Sequence, residues 1–403
     1  MKDYRLDFPL LKRRYNDRAL VYFDNAATAP KPQVVIKAVN DYYNLHNANI
    51  HRGPNFLSEE ATLLYEGARK KVADFIGADK EEIVFTAGAT AGLNLIARAW
   101  GENNLKAGDI IALSRAEHHA NIVPWLQLKE KIGVVLEYID IKADGTFNEL
   151  SLDKIFDQPR LRVLAITQAS NVLGQFYDLR LILKRAQAQG VLTVVDAAQS
   201  VVHNPLAVHD LDCDFLVFSG HKLLAPSGVG VLYGRRDLLE KIPPFLGGGG
   251  MIAEVKEQSF TPLAEALRLE AGTPNIEGAI ALGAACDYLQ EISWPEIIKR
   301  EEVLKNYFLE QLSSLSFVRL LGGNEGRLPL FALDLQGIHP HDAADLLGEK
   351  GIITRAGHHC AQPLHDSLGI GASLRASLSF YNTTAEIDVF FQALQSIKKS
   401  FSF

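Results

Sequence analysis

Seven short apolar runs recur along the chain from about residue 80, and their composition constrains the fold more than any other feature. They are Glu82-Ile-Val-Phe85, Asp109-Ile-Ile-Ala-Leu-Ser114, Val134-Val-Leu-Glu-Tyr-Ile139, Arg162-Val-Leu-Ala-Ile-Thr167, Leu192-Thr-Val-Val-Asp196, Phe215-Leu-Val-Phe218 and Gly228-Val-Gly-Val-Leu-Tyr233. Most are nearly continuous in Val, Ile and Leu, the pattern of strands buried on both faces of a largely parallel sheet. Helical periodicity separates several of them, for example over 91–100 and 179–188, which predicts an α/β domain with helices on both sides. After the four glycines at 247–250 the pattern turns helical across 276–312, then shifts to short strands such as 328–334 with helices at 340–349 and 384–400. We read a large domain over 20–290 and a smaller C-terminal α+β domain over 291–403, with 1–19 packed nearby. The glycine run is either a flexible turn or a close approach to a ligand.

Composition narrows the function. The 403 residues suffice for two domains of ordinary size, and 41 basic against 48 acidic residues leave a net charge of −7. That balance argues against a nucleic-acid or anionic-membrane surface as the main partner. The start lacks an apolar stretch of signal-peptide length, and no apolar run approaches the roughly 20 residues of a membrane helix. Three cysteines, Cys213, Cys286 and Cys360, are an odd and sparse set without CxxC spacing. They point to reduced thiols and a cytoplasmic small-molecule enzyme.

Two strand ends carry the chemistry. Phe215-Leu-Val-Phe-Ser-Gly-His-Lys222 is a buried strand running into a lysine, at the carboxyl end where open α/β sheets place their ligands. There Lys222 can form a Schiff base with a carbonyl cofactor. Leu192-Thr-Val-Val-Asp-Ala-Ala-Gln199 places Asp196 at the end of another strand. Asp196 is either a helix N-cap or the carboxylate that keeps a pyridine nitrogen protonated, and its pairing with Lys222 favours the second. Phe85-Thr-Ala-Gly-Ala-Thr-Ala-Gly-Leu-Asn94 runs from strand through a small-residue turn into a helix, where backbone N–H groups and the Thr90 hydroxyl can hold an anion. Ser219 and His221 are further phosphate donors. In Glu117-His-His-Ala-Asn-Ile-Val-Pro-Trp125 the histidines either stack on an aromatic cofactor, move protons, or are plain loop residues. Together these elements describe a pyridoxal 5′-phosphate site.

With that site the sequence resembles the SufS-like (group II) cysteine desulfurases and selenocysteine lyases, within the fold-type I, class V aminotransferase-like pyridoxal-phosphate enzymes. The resemblance runs from Tyr22-Phe-Asp-Asn-Ala-Ala-Thr28 to Leu374-Arg-Ala-Ser-Leu378 and Tyr381-Asn-Thr383. Its most specific motifs are Glu117–Trp125, Ser170-Asn-Val-Leu-Gly174, Phe218-Ser-Gly-His-Lys222, Glu270-Ala-Gly-Thr-Pro-Asn275 and Arg355-Ala-Gly-His-His-Cys-Ala361. It implies a large, mainly parallel seven-stranded sheet domain and a smaller C-terminal domain that carries the cysteine loop. It also implies that Lys222 bonds covalently to the cofactor, Asp196 pairs with the ring nitrogen, Gln199 bonds the ring hydroxyl and His118 stacks on the ring. Thr90, Ser219 and His221 would bind phosphate, joined by Thr273 from the other subunit of a homodimer. Asn171, Arg355 and Arg375 would hold the substrate, with Arg375 on its carboxylate. One departure is visible: many relatives have two threonines and an acidic residue where this chain has Ala89, Thr90 and Ala91, so one hydroxyl donor is missing.

The cysteines then divide. Cys213 and Cys286 lie in apolar surroundings and read as packing residues. Cys360 lies in a polar loop beside Arg355, His358 and His359, neighbours expected to favour the reactive thiolate. A zinc site or a redox sensor is the alternative, although no second ligand cluster with metal spacing accompanies it. The resemblance implies a desulfurase that converts L-cysteine to L-alanine, with Lys222 as base, His118 as proton carrier and Cys360 taking the sulfur as a persulfide. It further implies a SufE-type acceptor and iron–sulfur cluster assembly. Selenocysteine lyase, an aminotransferase and a non-catalytic sulfur-assembly scaffold are the competing readings.

Overall fold

A computed structural model describes residues 2–264 and 266–401. All seven apolar runs form strands, with ends shifted by a residue or two: β1 (Ile83–Thr86), β2 (Ile110–Ser114), β3 (Val135–Ile139), β4 (Leu161–Thr167), β5 (Leu192–Asp196), β6 (Phe215–Ser219) and β7 (Gly230–Gly234). They make one seven-stranded sheet in the order β1-β7-β6-β5-β4-β2-β3. The run from β6 to β3 is parallel, and β7 is antiparallel to both of its neighbours.

Two-sided burial accounts for the unbroken apolar runs. Successive residues of β6 alternate between two hydrophobic clusters, Leu216 and Phe218 on one side, Phe215 and Val217 on the other. β3, at the sheet edge, keeps only Ile139 fully buried.

The predicted helix over 91–100 begins earlier, as α1 (Ala89–Leu95), and continues as a π-helical turn through Gly101. The long helical stretch after 276 is two helices, α2 (Ile276–Ile292) and α3 (Trp294–Ser313). The break is Ser293, whose φ of 75° no helix accepts, followed by Pro295 at the second helical position. Periodicity is blind to a one-residue break of this kind.

Four antiparallel strands form the smaller sheet: β8 (Val318–Leu320), β9 (Leu330–Leu335), β10 (Arg355–Gly357) and β11 (Ser373–Ser377), in the order β8-β9-β11-β10. Its core stacks Phe308 on Phe331 with centroids 3.8 Å apart, beneath α4 (Thr384–Ser400). Val21 and Phe23 also enter this core, and Val21–Tyr22 pairs in parallel with Ile352–Ile353. The N-terminal Tyr4 and Phe8 pack instead in the large core, against Phe380 and Tyr381. The segment around residues 21–24 is thus brought between the two sheets, and it becomes part of the site.

Phe308 is fully buried, and its truncation leaves a cavity that the stacked rings cannot collapse to fill. Phe308→Ala should cost about 3–5 kcal/mol in chemical denaturation; a loss below about 1 kcal/mol would contradict this packing.

Candidate active site

The carboxyl ends of β5 and β6 set Asp196 and Lys222 side by side. β6 leads into a turn in which Gly220 N–H donates to the Val229 carbonyl (2.9 Å) and Lys222 N–H to the Ser219 carbonyl (3.3 Å). The His221 carbonyl in that turn accepts from Ala29 N–H (3.1 Å), Thr28 Oγ1 (3.3 Å) and Lys31 Nζ (2.8 Å). Three donors on one carbonyl hold the turn, and with it the direction of Lys222.

A cavity of about 210 Å³ opens there, lined by Thr90, His118, Asn171, Asp196, Gln199, Ser219, His221, Lys222, Arg355, Cys360 and Arg375. Of the residues assigned to the cofactor or substrate from the sequence, Thr273 lies apart, exposed beside His51 and Arg52 in a separate cavity of about 170 Å³. Within the cavity Ser219 Oγ accepts from Ala89 N–H (2.8 Å) and Gln199 Nε2 donates to the Ala26 carbonyl (2.9 Å). Thr90 is exposed on the first turn of α1.

Burial sets the protonation states. Desolvation brings Lys222 down to about 8, against the opposing pull of Asp196, so the neutral, nucleophilic fraction of the amine near neutral pH is far larger than that of an ordinary lysine. Asp196 is raised, mainly by desolvation, while Ala198 N–H donates to Oδ1 (2.9 Å). Desolvation first, and then Lys222, lowers His118 to about 3. The ring is therefore neutral. Its Nδ1 accepts from Ala120 N–H (3.0 Å), which places the ring proton on Nε2.

The spacing within Glu117–Trp125 acquires a physical reason. Glu117 is fully buried and accepts from Ser114 Oγ, Asn121 Nδ2 (2.8 Å) and Thr167 N–H (2.9 Å), while Asn121 Oδ1 accepts from Trp125 Nε1 (3.2 Å). Residues 117, 121 and 125 anchor the segment; His118 lines the cavity, and the His119 ring turns to the backbone N–H of Gln362.

The loop that follows β10 of the smaller sheet carries Cys360. His359 and Cys360 are consecutive non-glycine residues in the left-handed region, at φ 52° and 57°, a conformation that costs on the order of 1–3 kcal/mol per residue and persists only where neighbours hold it. Asn171 Nδ2 donates to the His359 carbonyl (2.6 Å) and His119 N–H to the Cys360 carbonyl (2.7 Å). His359, kept neutral by burial and by Arg375, turns Nε2 to Ser373 Oγ (3.0 Å). Among the described residues no group of three or more His, Cys, Asp and Glu is placed to hold a metal ion. Lys222 and Arg375 lie within electrostatic reach of Cys360. The other two thiols are buried, and desolvation pushes both up.

One residue of this arrangement escaped the sequence reading. The Asp24 carboxylate, in the Tyr22–Thr28 motif, takes Arg375 NH2 on Oδ1 (3.2 Å) and Arg355 NH2 on Oδ2 (3.2 Å). Arg355 thus reaches the cavity but commits its guanidinium to Asp24. Arg375 NH1 donates to the Asn171 carbonyl (3.0 Å), which leaves its Nε buried without a partner. A carboxylate in the sequence signals nothing by itself; its partners lie 331 and 351 positions away.

These residues fit pyridoxal phosphate and an amino acid. Asp196 is a buried carboxyl with one backbone donor, short of the partner that a protonated ring nitrogen supplies. The turn before α1 is a glycine cradle: a Cβ on Gly230 would lie 2.5 Å from Gly88 Cα, and Gly88 has φ 154°. Arg375 Nε and Asn171 Oδ1 are buried, unpartnered atoms of cavity-lining residues, a donor and an acceptor for a zwitterionic substrate.

Comparison with known proteins places the chain among described relatives. Residues 21–390 match the family described as aminotransferase class-V. A probable cysteine desulfurase from Synechocystis is 44% identical over 99% of this chain and 96% of its own length. A cysteine desulfurase from Klebsiella pneumoniae is 45% identical over 98% and 97%. The apo structure of a cysteine desulfurase from Thermococcus onnurineus superposes with a TM-score of 0.94 at 38% identity, covering 99% of both chains. An Escherichia coli cysteine desulfurase in an S-sulfonic acid form gives 0.90 at 38% identity, covering 98% of both.

Two outcomes follow from the charges. In cofactor-free protein the acetylation rate of Lys222, read by peptide mass spectrometry, should rise half-maximally near pH 8, well below the ~10.4 of an ordinary lysine; a midpoint above pH 10 would contradict the burial argument. Asp24→Asn should raise KM for L-cysteine roughly tenfold, about 1.4 kcal/mol of binding, while retaining bound cofactor. An unchanged KM in steady-state alanine formation would show that Arg375 needs no carboxylate to place it.

Proposed function

The chain belongs to the aminotransferase class-V family, and on that basis we propose that it is a cysteine desulfurase whose sulfur acceptor is Cys360. It is a pyridoxal phosphate-dependent enzyme acting on L-cysteine. The observation that carries the assignment of Cys360 is that its loop, from the small domain, and Lys222, from the large one, line the same cavity.

When bound, pyridoxal phosphate withdraws electrons from the substrate's Cα and so acidifies it. Asp196 would hold the ring nitrogen, Gln199 would face the ring oxygen, and Ser219, His221 and Thr90 would take the phosphate. Arg375, steadied by Asp24, offers its unpartnered Nε to the substrate carboxylate. Lys222 Nζ, with its lowered basicity, is suited to take the Cα proton near neutral pH. His118 carries a proton on Nε2 for donation at the reacting amino acid. Cys360 Sγ, as thiolate, attacks the substrate sulfur: the S–S bond forms, the Cβ–S bond breaks, and the electron pair remains with the carbon fragment, which is protonated and leaves as L-alanine. The balance is L-cysteine plus the Cys360 thiol giving L-alanine plus the Cys360 persulfide.

We further propose a homodimer in which Thr273 completes the partner's phosphate site. Its position outside this protomer's cavity supports that reading, as do the exposed apolar side chains Tyr43, Leu45, Phe56 and Leu63 near one another in sequence. A SufE-type acceptor, a role in iron–sulfur cluster assembly and a cytoplasmic location belong to the same proposal. Among the described residues no helix is long and apolar enough to cross a membrane.

Cys360→Ala tests the assignment. The variant should keep its cofactor absorbance and the spectral response to L-cysteine, yet lose at least about 99% of alanine production, the scale of a missing nucleophile. Undiminished alanine formation would refute the role of Cys360.

A further inference from the structure

His119 is the residue next to the one assigned to stack on the cofactor, and it has no part in the chemistry derived above. It touches the cysteine loop at Cys360 and, two residues further on, at Gln362. The backbone N–H of His119 donates to the Cys360 carbonyl (2.7 Å), and the imidazole Nε2 accepts from Gln362 N–H (3.0 Å). The two bonds form a clip between the large domain and the small one, across 243 positions of sequence for the side-chain bond.

The clip sits where the loop has most need of restraint. His359 and Cys360 are both left-handed, and Gln362 is the first residue of the short helix Gln362–Ser367. The first N–H groups of a helix have no partner within it, so His119 Nε2 supplies the acceptor that Gln362 otherwise lacks. Acceptance at Nε2 requires the neutral ring with its proton on Nδ1. Desolvation and the charge of His358 both lower the basicity of His119, which keeps that form available. Glu117, Asn121 and Trp125 anchor the segment from behind, so the imidazole is held against a fixed base.

We propose that His119 is a positioning residue for sulfur transfer: its imidazole clips the loop at Gln362 and thereby sets the reach of the Cys360 thiol into the cavity. The proposal rests on Cys360 as the sulfur acceptor. It makes no use of His119 as an acid or base, and it separates the adjacent histidines by function, His118 toward the cofactor and His119 toward the loop.

Three forms of the holoenzyme test it, wild type, His119→Ala and His119→Gln, because the Gln carbonyl oxygen can replace Nε2 as acceptor. Hydrogen–deuterium exchange across residues 355–367 should quicken in His119→Ala, and kcat for alanine formation should fall at least about tenfold, the scale of a small misplacement of a reacting group. KM for L-cysteine and the cofactor absorbance should stay as in wild type, and His119→Gln should restore both exchange and kcat. Wild-type exchange in His119→Ala would overturn the proposal, whether or not kcat falls. Failure of His119→Gln to restore kcat while it restores exchange would also overturn it, since the imidazole would then act in the chemistry itself. Exchange does not depend on which thiol accepts sulfur, so failure of the Cys360 assignment, seen in Cys360→Ala, is distinguishable from failure of the clip.

Discussion

The site depends on Arg375 being held from three directions at once. Its guanidinium donates to Asp24 from the N-terminal segment and to the Asn171 carbonyl from the large domain, and its own strand belongs to the small sheet. Asn171 in turn donates to the His359 carbonyl. A single chain of hydrogen bonds therefore joins the start of the polypeptide, both sheets and the loop that carries Cys360. A buried guanidinium without such partners would be costly; with them, one edge stays committed to the protein and Nε is left for a substrate. Asp24 also limits the charge at the mouth, because its carboxylate pairs with both Arg355 and Arg375.

Burial then tunes the reacting groups without any metal-like charge. The same desolvation that brings Lys222 down raises Asp196 and strips His118 of its positive charge. An amine of lowered basicity, a carboxyl short of one partner and a neutral imidazole with its proton on Nε2 are the states that suit cofactor capture and proton movement. These states arise from the depth of two strand ends in an α/β sheet, so the fold and the chemistry have a common physical origin.

Much of this was legible in the residues. Seven strands could be read because each is buried on both faces, and Lys222 and Asp196 stood out because each ends such a strand. The antiparallel direction of β7 was not legible, since a strand buried on both faces carries no mark of its direction. Nor was the break at Ser293, which is a matter of one dihedral angle. In the site, the motif Glu117–Trp125 was visible as a pattern, but its division into anchors at 117, 121 and 125, a cavity-lining His118 and a loop-facing His119 rests on contacts that no local pattern shows. Asp24 was hidden because its importance lies in partners more than 300 positions away. The approach of Cys360 depends likewise on Asn171 and His119, whose contacts with the loop no local pattern encodes.

The central claim is that sulfur passes through Cys360 on its way from L-cysteine. The most direct measurement is a single turnover of the holoenzyme with sulfur-labelled L-cysteine, quenched by alkylation under non-reducing conditions and mapped by peptide mass spectrometry. The account predicts one labelled persulfide on the peptide containing Cys360 for each alanine formed, with none on Cys213 or Cys286. Alanine formed in full with the label released as free sulfide, and the Cys360 peptide carrying none of it, would contradict the account.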